Sequence, residues 1–202
     1  MASARRIGAE TSKTRDALLD AVEKLMLSDG YAAVTYRAVA AKAGVTSGLV
    51  QYYFPTLDDL FVAAIRRRAE QNVKRLAKAL EERSEDPLRM LWEYSRDEAT
   101  AALTTEFLAL GNHRKSIQAE IAEVTEQVRR IQLDALVARF GKNGPADGAL
   151  SLEALLFLVT GIPKLLRLEE AVGVSTAHRD VVKAFERYLD AVEPVRRSRK
   201  RS

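Results

Sequence analysis

A glycine turn between two short helical patterns constrains this chain more than any other feature. The run Thr35 to Phe54 reads TYRAVAAKAGVTSGLVQYYF. Thr35 can cap a helix from about Tyr36 to Ala43, and Gly44 can end it in a conformation that side chains resist. Thr46 or Ser47 can cap a second helix. Pro55 stops that helix, because the residue before a proline is turned away from α geometry. Ala38, Val39 and Ala43 are small enough to let the two helices cross closely, and Val45 can plug the core beneath them. Helix, tight turn, helix is the layout of a helix-turn-helix. Thr46, Ser47 and Gly48 then stand at a helix N-terminus. There, free N–H groups and the positive end of the dipole favour phosphate, and short side chains permit close approach. Gln51, Tyr52 and Tyr53 follow about one turn later: an amide pairs with adenine and phenol hydroxyls hold phosphates. Leu49 can meet a thymine methyl or simply pack. Thr35, Tyr36 and Arg37 complete the candidate DNA-binding set. Plain capping also accounts for the threonines and Ser47, and core packing for one tyrosine. The roles coexist, since a capped helix end is what a phosphate meets.

The rest of the chain carries the helical period. Leu18, Ala21, Val22, Leu25 and Met26 form one apolar face, with Thr11 or Ser12 as its cap and Gly30 as its end. Thr56-Leu57-Asp58-Asp59 resembles a capping box with Asp in place of Glu, opening a helix through Leu60, Phe61, Ala64, Ile65, Val73, Leu76 and Leu80. Asp86-Pro87 reads as an N-cap followed by proline at the first helical position. Helices are predicted around Leu88 to Tyr94, from Ala101 to Leu110, and from Ile117 to Ala135. The loop Gly141 to Gly148 follows. Leu150 to Ala171 then reads as a helix apolar on most of its circumference. Ser175 or Thr176 caps a last helix that reaches Val192. No stretch alternates as a strand does. The expected fold is all-α, about nine helices. Residues 1–11 are expected as a flexible arm, 12–55 as the helix-turn-helix domain, 56–194 as a helical bundle and 195–202 as a basic disordered tail.

Charge and composition narrow the function. The formal charge of +4 is a property of the tail, where Arg196, Arg197, Arg199, Lys200 and Arg201 supply five positive charges; without them the remainder stands at −1. The tail reads as solubilising, or as an arm for polyanions. Arg5 and Arg6 are better placed to reach phosphates. Zero cysteine removes disulfides, thiolate nucleophiles and cysteine metal sites. His113 and His178 are the only histidines, so no metal site and no cofactor is expected. The chain also lacks a phosphate loop, a dinucleotide fingerprint and a serine elbow, so an enzyme is not expected. No signal peptide opens it, and the apolar stretch from Leu150 is too short and too charged to span a membrane. The expected site of action is cytoplasmic.

From about Thr14 to Phe61 the chain resembles the TetR (tetracycline-repressor-like) family of bacterial transcription regulators. The resemblance rests on Gly30 and Tyr31 before Thr35, on Val39-Ala40-Ala41-Lys42-Ala43-Gly44-Val45, on Gly48, and on Tyr52-Tyr53-Phe54-Pro55 leading to Asp58, Asp59 and Leu60. Leu57 stands where the family often has a phosphate-binding lysine, Gln51 where it often has tyrosine, and Leu49 where threonine or serine is common. The resemblance implies a repressor that binds a double-stranded operator through its first three helices and is released by a small effector. It also implies a homodimer through the last two helices, about 150–171 and 176–192. Effector contacts are expected from Met90, Trp92, Tyr94, Phe107, Leu110, His113 and Phe157, large or polarizable residues on apolar helices, although ordinary core packing accounts for any one of them.

Overall fold

The computed structural model describes residues 2–96, 98–145 and 150–194; for 2–11 and 98–101 it describes the helix only. The tail after Pro194, the side chains of Arg5 and Arg6, and the end of the Gly141 to Gly148 loop therefore lie outside the described residues. Among the described residues every regular element is helical: α1 Ala2–Asp29, a 3-10 turn Tyr31–Ala33, α2 Tyr36–Ala43, α3 Ser47–Tyr53, α4 Leu57–Glu82, α5 Pro87–Ser95, α6 Glu98–Gly111, α7 Lys115–Phe140, α8 Leu152–Ala171 and α9 His178–Val192.

The helices fall into two compact units. The first runs up to Asn72 and takes in Ala102–Glu126; the second comprises Val73–Ala101 and Gln127 onward. The first unit buries Leu18, Leu19, Val22 and Met26 of α1 with Val39 of α2, Val50 of α3 and Phe61 of α4, together with Leu103, Phe107 and Leu110 of α6. The second buries Leu76 and Leu80 with Leu88, Leu91 and Trp92 of α5, Leu136 of α7, Leu152, Leu155 and Val159 of α8, and Leu189 of α9.

Local signals decide most helix ends. Gly44 closes α2 at φ 70°. At α4 the capping box forms: Thr56 Oγ1 accepts from the Asp59 N–H at 3.0 Å, and Asp59 Oδ2 accepts from the Thr56 N–H at 3.0 Å. Ser151 caps α8 by accepting from the Ala154 N–H. Three ends differ from expectation. The first helix starts at Ala2, well before Thr11 or Ser12, since Ala, Arg and Glu favour helix and no proline interrupts 2–10. Asp86 precedes α5 without capping it, because its carboxylate pairs with Arg83. Glu193 does the capping, from 105 residues away: its carboxylate accepts the Leu88 N–H at 2.9 Å and the Arg89 N–H at 2.7 Å. Burial pushes the Glu193 carboxyl above its ordinary range, and these two bonds oppose that rise. The last helix begins at His178 rather than at Ser175 or Thr176, after Ala177 in a left-handed conformation at φ 66°. The buried His178 ring sets that start, with Nε2 2.7 Å from Glu169 Oε2.

Candidate nucleic-acid interface

The turn at Gly44 and two threonine caps present the second helix of the motif. Thr35 Oγ1 accepts the Ala38 N–H at 3.1 Å, and Thr46 Oγ1 accepts the Leu49 N–H at 3.3 Å. Each cap satisfies one of the N–H groups a helix start leaves unpaired; the others remain available to an anion. Val50 is fully buried and fixes the rotation of α3. Thr46, Ser47, Gly48, Gln51 and Tyr52 are consequently exposed together, Tyr52 at 78%. Thr35 and Arg37 are exposed on α2. Leu49 is half-buried. Tyr53 is half-buried too, packed against the first core, with its ring edge-on to Tyr52 at 5.5 Å.

Gly44 and Gly48 serve different ends. Gly44 holds a left-handed φ, whereas Gly48 sits in ordinary helical geometry with nothing within 4 Å of an added Cβ. Among the described residues no packing demands glycine at 48.

Tyr36 is oriented inward, toward the end of α3. Its hydroxyl lies 3.1 Å from the Phe54 carbonyl and 2.9 Å from the Pro55 carbonyl, to which its single proton is donated. Burial, then the Asp59 carboxylate, push the phenol above its ordinary range. A tyrosine at the start of α2 therefore fastens the end of α3, a role that the motif's spacing does not reveal.

Polar clamps hold α4 to the start of α7 within the first unit. Arg66 engages the buried Glu120 with two bonds, Nε at 2.8 Å and Nη2 at 2.7 Å. Asp58 pairs with Arg114 and accepts from the Ser116 hydroxyl at 2.5 Å. The Ser116 bond, then Arg114, hold the Asp58 carboxyl below its ordinary range. A carboxylate with a lowered folded value adds stability that is present above its unfolded value and lost as pH falls through the folded one. Asp58→Asn is therefore expected to lower the melting temperature at neutral pH and to flatten its fall below about pH 4. Melting curves from pH 7 to pH 2 check this; parallel curves for both proteins would contradict it.

The effector candidates divide between the two units. Phe107 and Leu110 are buried in the first core, and His113 is exposed with its ring stacked on Tyr31 at 6.3 Å. Met90 and Trp92 are buried in the second core, with Tyr94 packed against it. The Trp92 indole stacks on Phe185 at 4.6 Å, and its buried N–H has no acceptor among the described residues. Phe157 is 62% exposed, with the Arg129 guanidinium 5.8 Å from its ring centre. It lies on α8 in line with exposed Leu165 and Leu168, and exposed Val172 follows the helix end. Among the described residues no group of three or more acidic or histidine side chains is arranged to hold a metal, and no helix is long and apolar enough to cross a membrane.

Residues 18–64 match the family described as bacterial regulatory proteins, tetR family. The HTH-type transcriptional repressor BepR of Brucella suis biovar 1 (strain 1330) is 27% identical over 145 residues, 68% of this chain and 68% of that protein. A TetR transcription regulator from Haloarcula marismortui superposes with a TM-score of 0.70 at 18% identity, over 90% of this chain and 98% of that one. The multidrug binding protein EbrR, solved with imidazole, has a TM-score of 0.60 and 28% identity, over 92% of this chain and 97% of its own.

Proposed function

We propose that this chain, whose residues 18–64 match the tetR family of bacterial regulatory proteins, is a DNA-binding transcription regulator under effector control: a cytoplasmic, homodimeric repressor released from its operator by a small, mostly apolar molecule. The observation that carries this reading is the shared exposure of Thr46, Ser47, Gly48, Gln51 and Tyr52 around a capped helix start. A phosphate meets the N-terminal turn there, while Gln51 and Tyr52 reach base edges or phosphates one turn on. Thr35 and Arg37 add backbone contacts from α2. Tyr53 and Leu49 line the half-buried edge of the same surface.

Two copies pair through α8 and α9, and the two α3 helices of the dimer enter successive major grooves about 34–36 Å apart. The exposed line Phe157, Leu165, Leu168 and Val172 supports that pairing, because such a stripe is costly in water. Phe157 is thereby assigned to the dimer face. The effector is assigned to the aromatic and sulfur-bearing side chains of α5, Met90, Trp92 and Tyr94. The imidazole complex of the EbrR relative supports an effector of small size. Repression is favoured over activation by the relative BepR, named as a repressor.

A screen of small aromatic and aliphatic compounds against the protein–operator complex tests the effector. At least one compound is expected to release the DNA and raise the melting temperature, with both effects weakened by Trp92→Ala. A wide screen in which no compound moves either quantity would favour the other reading, a DNA-binding dimer without effector control.

A further inference from the structure

The connection between α1 and the helix-turn-helix is held from far along the chain. Gly30 ends α1 at φ 79°, with its N–H still bonded to the Met26 carbonyl at 3.1 Å. The bend turns the next N–H, that of Tyr31, away from the carbonyls of α1. Glu106 Oε2 on α6 accepts it at 2.9 Å, across 75 residues of sequence. A Cβ on Gly30 would stand 3.6 Å from the same oxygen, so the carboxylate touches the bend itself. The Tyr31 ring in turn stacks on His113, just beyond the end of α6, at 6.3 Å and 29°. One residue is thus gripped at its backbone and at its ring. Only Ala32, Ala33 and Val34 separate it from Thr35, the cap of α2.

We infer that Glu106 is a positioning residue for DNA binding: its carboxylate fixes the Gly30–Tyr31 bend and with it the angle at which α2 and α3 leave α1. The inference rests on the DNA-binding reading above. An acceptor at this point is what matters, since a charged acceptor on a backbone N–H shortens and strengthens the bond, and an amide oxygen can still make it. The role is conformational, because Glu106 carries the charge sign that DNA repels.

The test uses the full-length protein, the operator fragment selected with it, and the variants Glu106→Gln, Glu106→Ala and Glu106→Asp. Operator affinity, affinity for unrelated DNA at low salt, and hydrogen exchange at the Tyr31 amide are measured on each. Glu106→Gln is expected to stay within about twofold of the wild type. Glu106→Ala is expected to lose operator affinity by tenfold or more and to exchange the Tyr31 amide faster, with binding to unrelated DNA unchanged. Glu106→Asp, one methylene short of the bend, is expected to fall between them, and it stands in for the alanine variant should that one fail to fold. Wild-type affinity in the alanine or aspartate variant overturns the inference. Equal damage in Glu106→Gln and Glu106→Ala overturns it too, as does parallel loss on operator and unrelated DNA, which marks a fold prop. A wild-type protein that selects no operator defeats the DNA-binding reading instead, and the Tyr31 exchange then still decides whether the carboxylate holds the bend.

Discussion

Replacing Leu165 by glutamate is expected to leave each chain folded, separate the dimer and remove operator binding. Leu165 is 57% exposed on α8, so a charge there costs the single chain little. Its neighbours on the helix surface are exposed and apolar as well: Phe157 lies 8 residues before it and Leu168 3 after, and exposed Val172 follows the helix end. At 100° per residue the three helical positions share one face. A twofold interface presents the same patch from both subunits, so each substitution places two carboxylates in an apolar contact. Each uncompensated buried charge costs several kcal/mol, enough for at least about a hundredfold loss of dimer at 1.4 kcal/mol per tenfold. Operator affinity falls with it, because two linked half-site contacts gain far more than one. Sedimentation at micromolar concentration and circular dichroism check the two halves of this expectation. A helical Leu165→Glu protein that remains dimeric would place the interface elsewhere.

Replacing Gly48 by alanine is expected to strengthen the fold and weaken operator binding. An added Cβ meets nothing within 4 Å and the backbone is helical, so only the helix propensity of the residue changes within the chain. Exchanging glycine for alanine in a helix stabilises by about 0.5–1 kcal/mol. The same methyl stands beside Thr46 and Ser47 on the first turn of α3, where the proposed interface brings the DNA backbone closest. Loss of that approach is expected to lower operator affinity about tenfold, within the range of about 1–3 kcal/mol that one disturbed site contact costs. The opposite signs are the informative part, since a folding defect lowers both quantities together. Gly44→Ala serves as the contrast: at φ 70° the alanine is strained, and both stability and binding are expected to fall.

The parts of the fold that the sequence made legible are those decided within four or five residues. The caps at Thr35 and Thr46, the left-handed Gly44 and the Thr56–Asp59 box all form from neighbouring side chains and backbone. What stayed hidden is decided by partners far away in sequence. Asp86 looks like the cap of α5, yet Arg83 takes its carboxylate and Glu193 supplies the bonds. Tyr36 looks like a surface contact, yet its hydroxyl closes on the Phe54 and Pro55 carbonyls. Phe157 has the chemistry of a pocket wall, yet it is exposed, and helical period alone cannot tell the inside of a bundle from an outer face. Glu106 carries no local signal, because its partner is a backbone N–H that any residue would offer.

The central claim is that α3 reads DNA, and one selection tests it most directly. Genomic fragments are incubated with the purified protein at low salt, retained, sequenced and footprinted, alongside the double variant Gln51→Ala, Tyr52→Ala. The expected result is a fragment with two related half-sites one helical turn apart, protected in successive major grooves about 34–36 Å apart and not retained by the double variant. A library that yields no enriched fragment at low salt, or an enriched fragment that the double variant binds equally well, would contradict the claim.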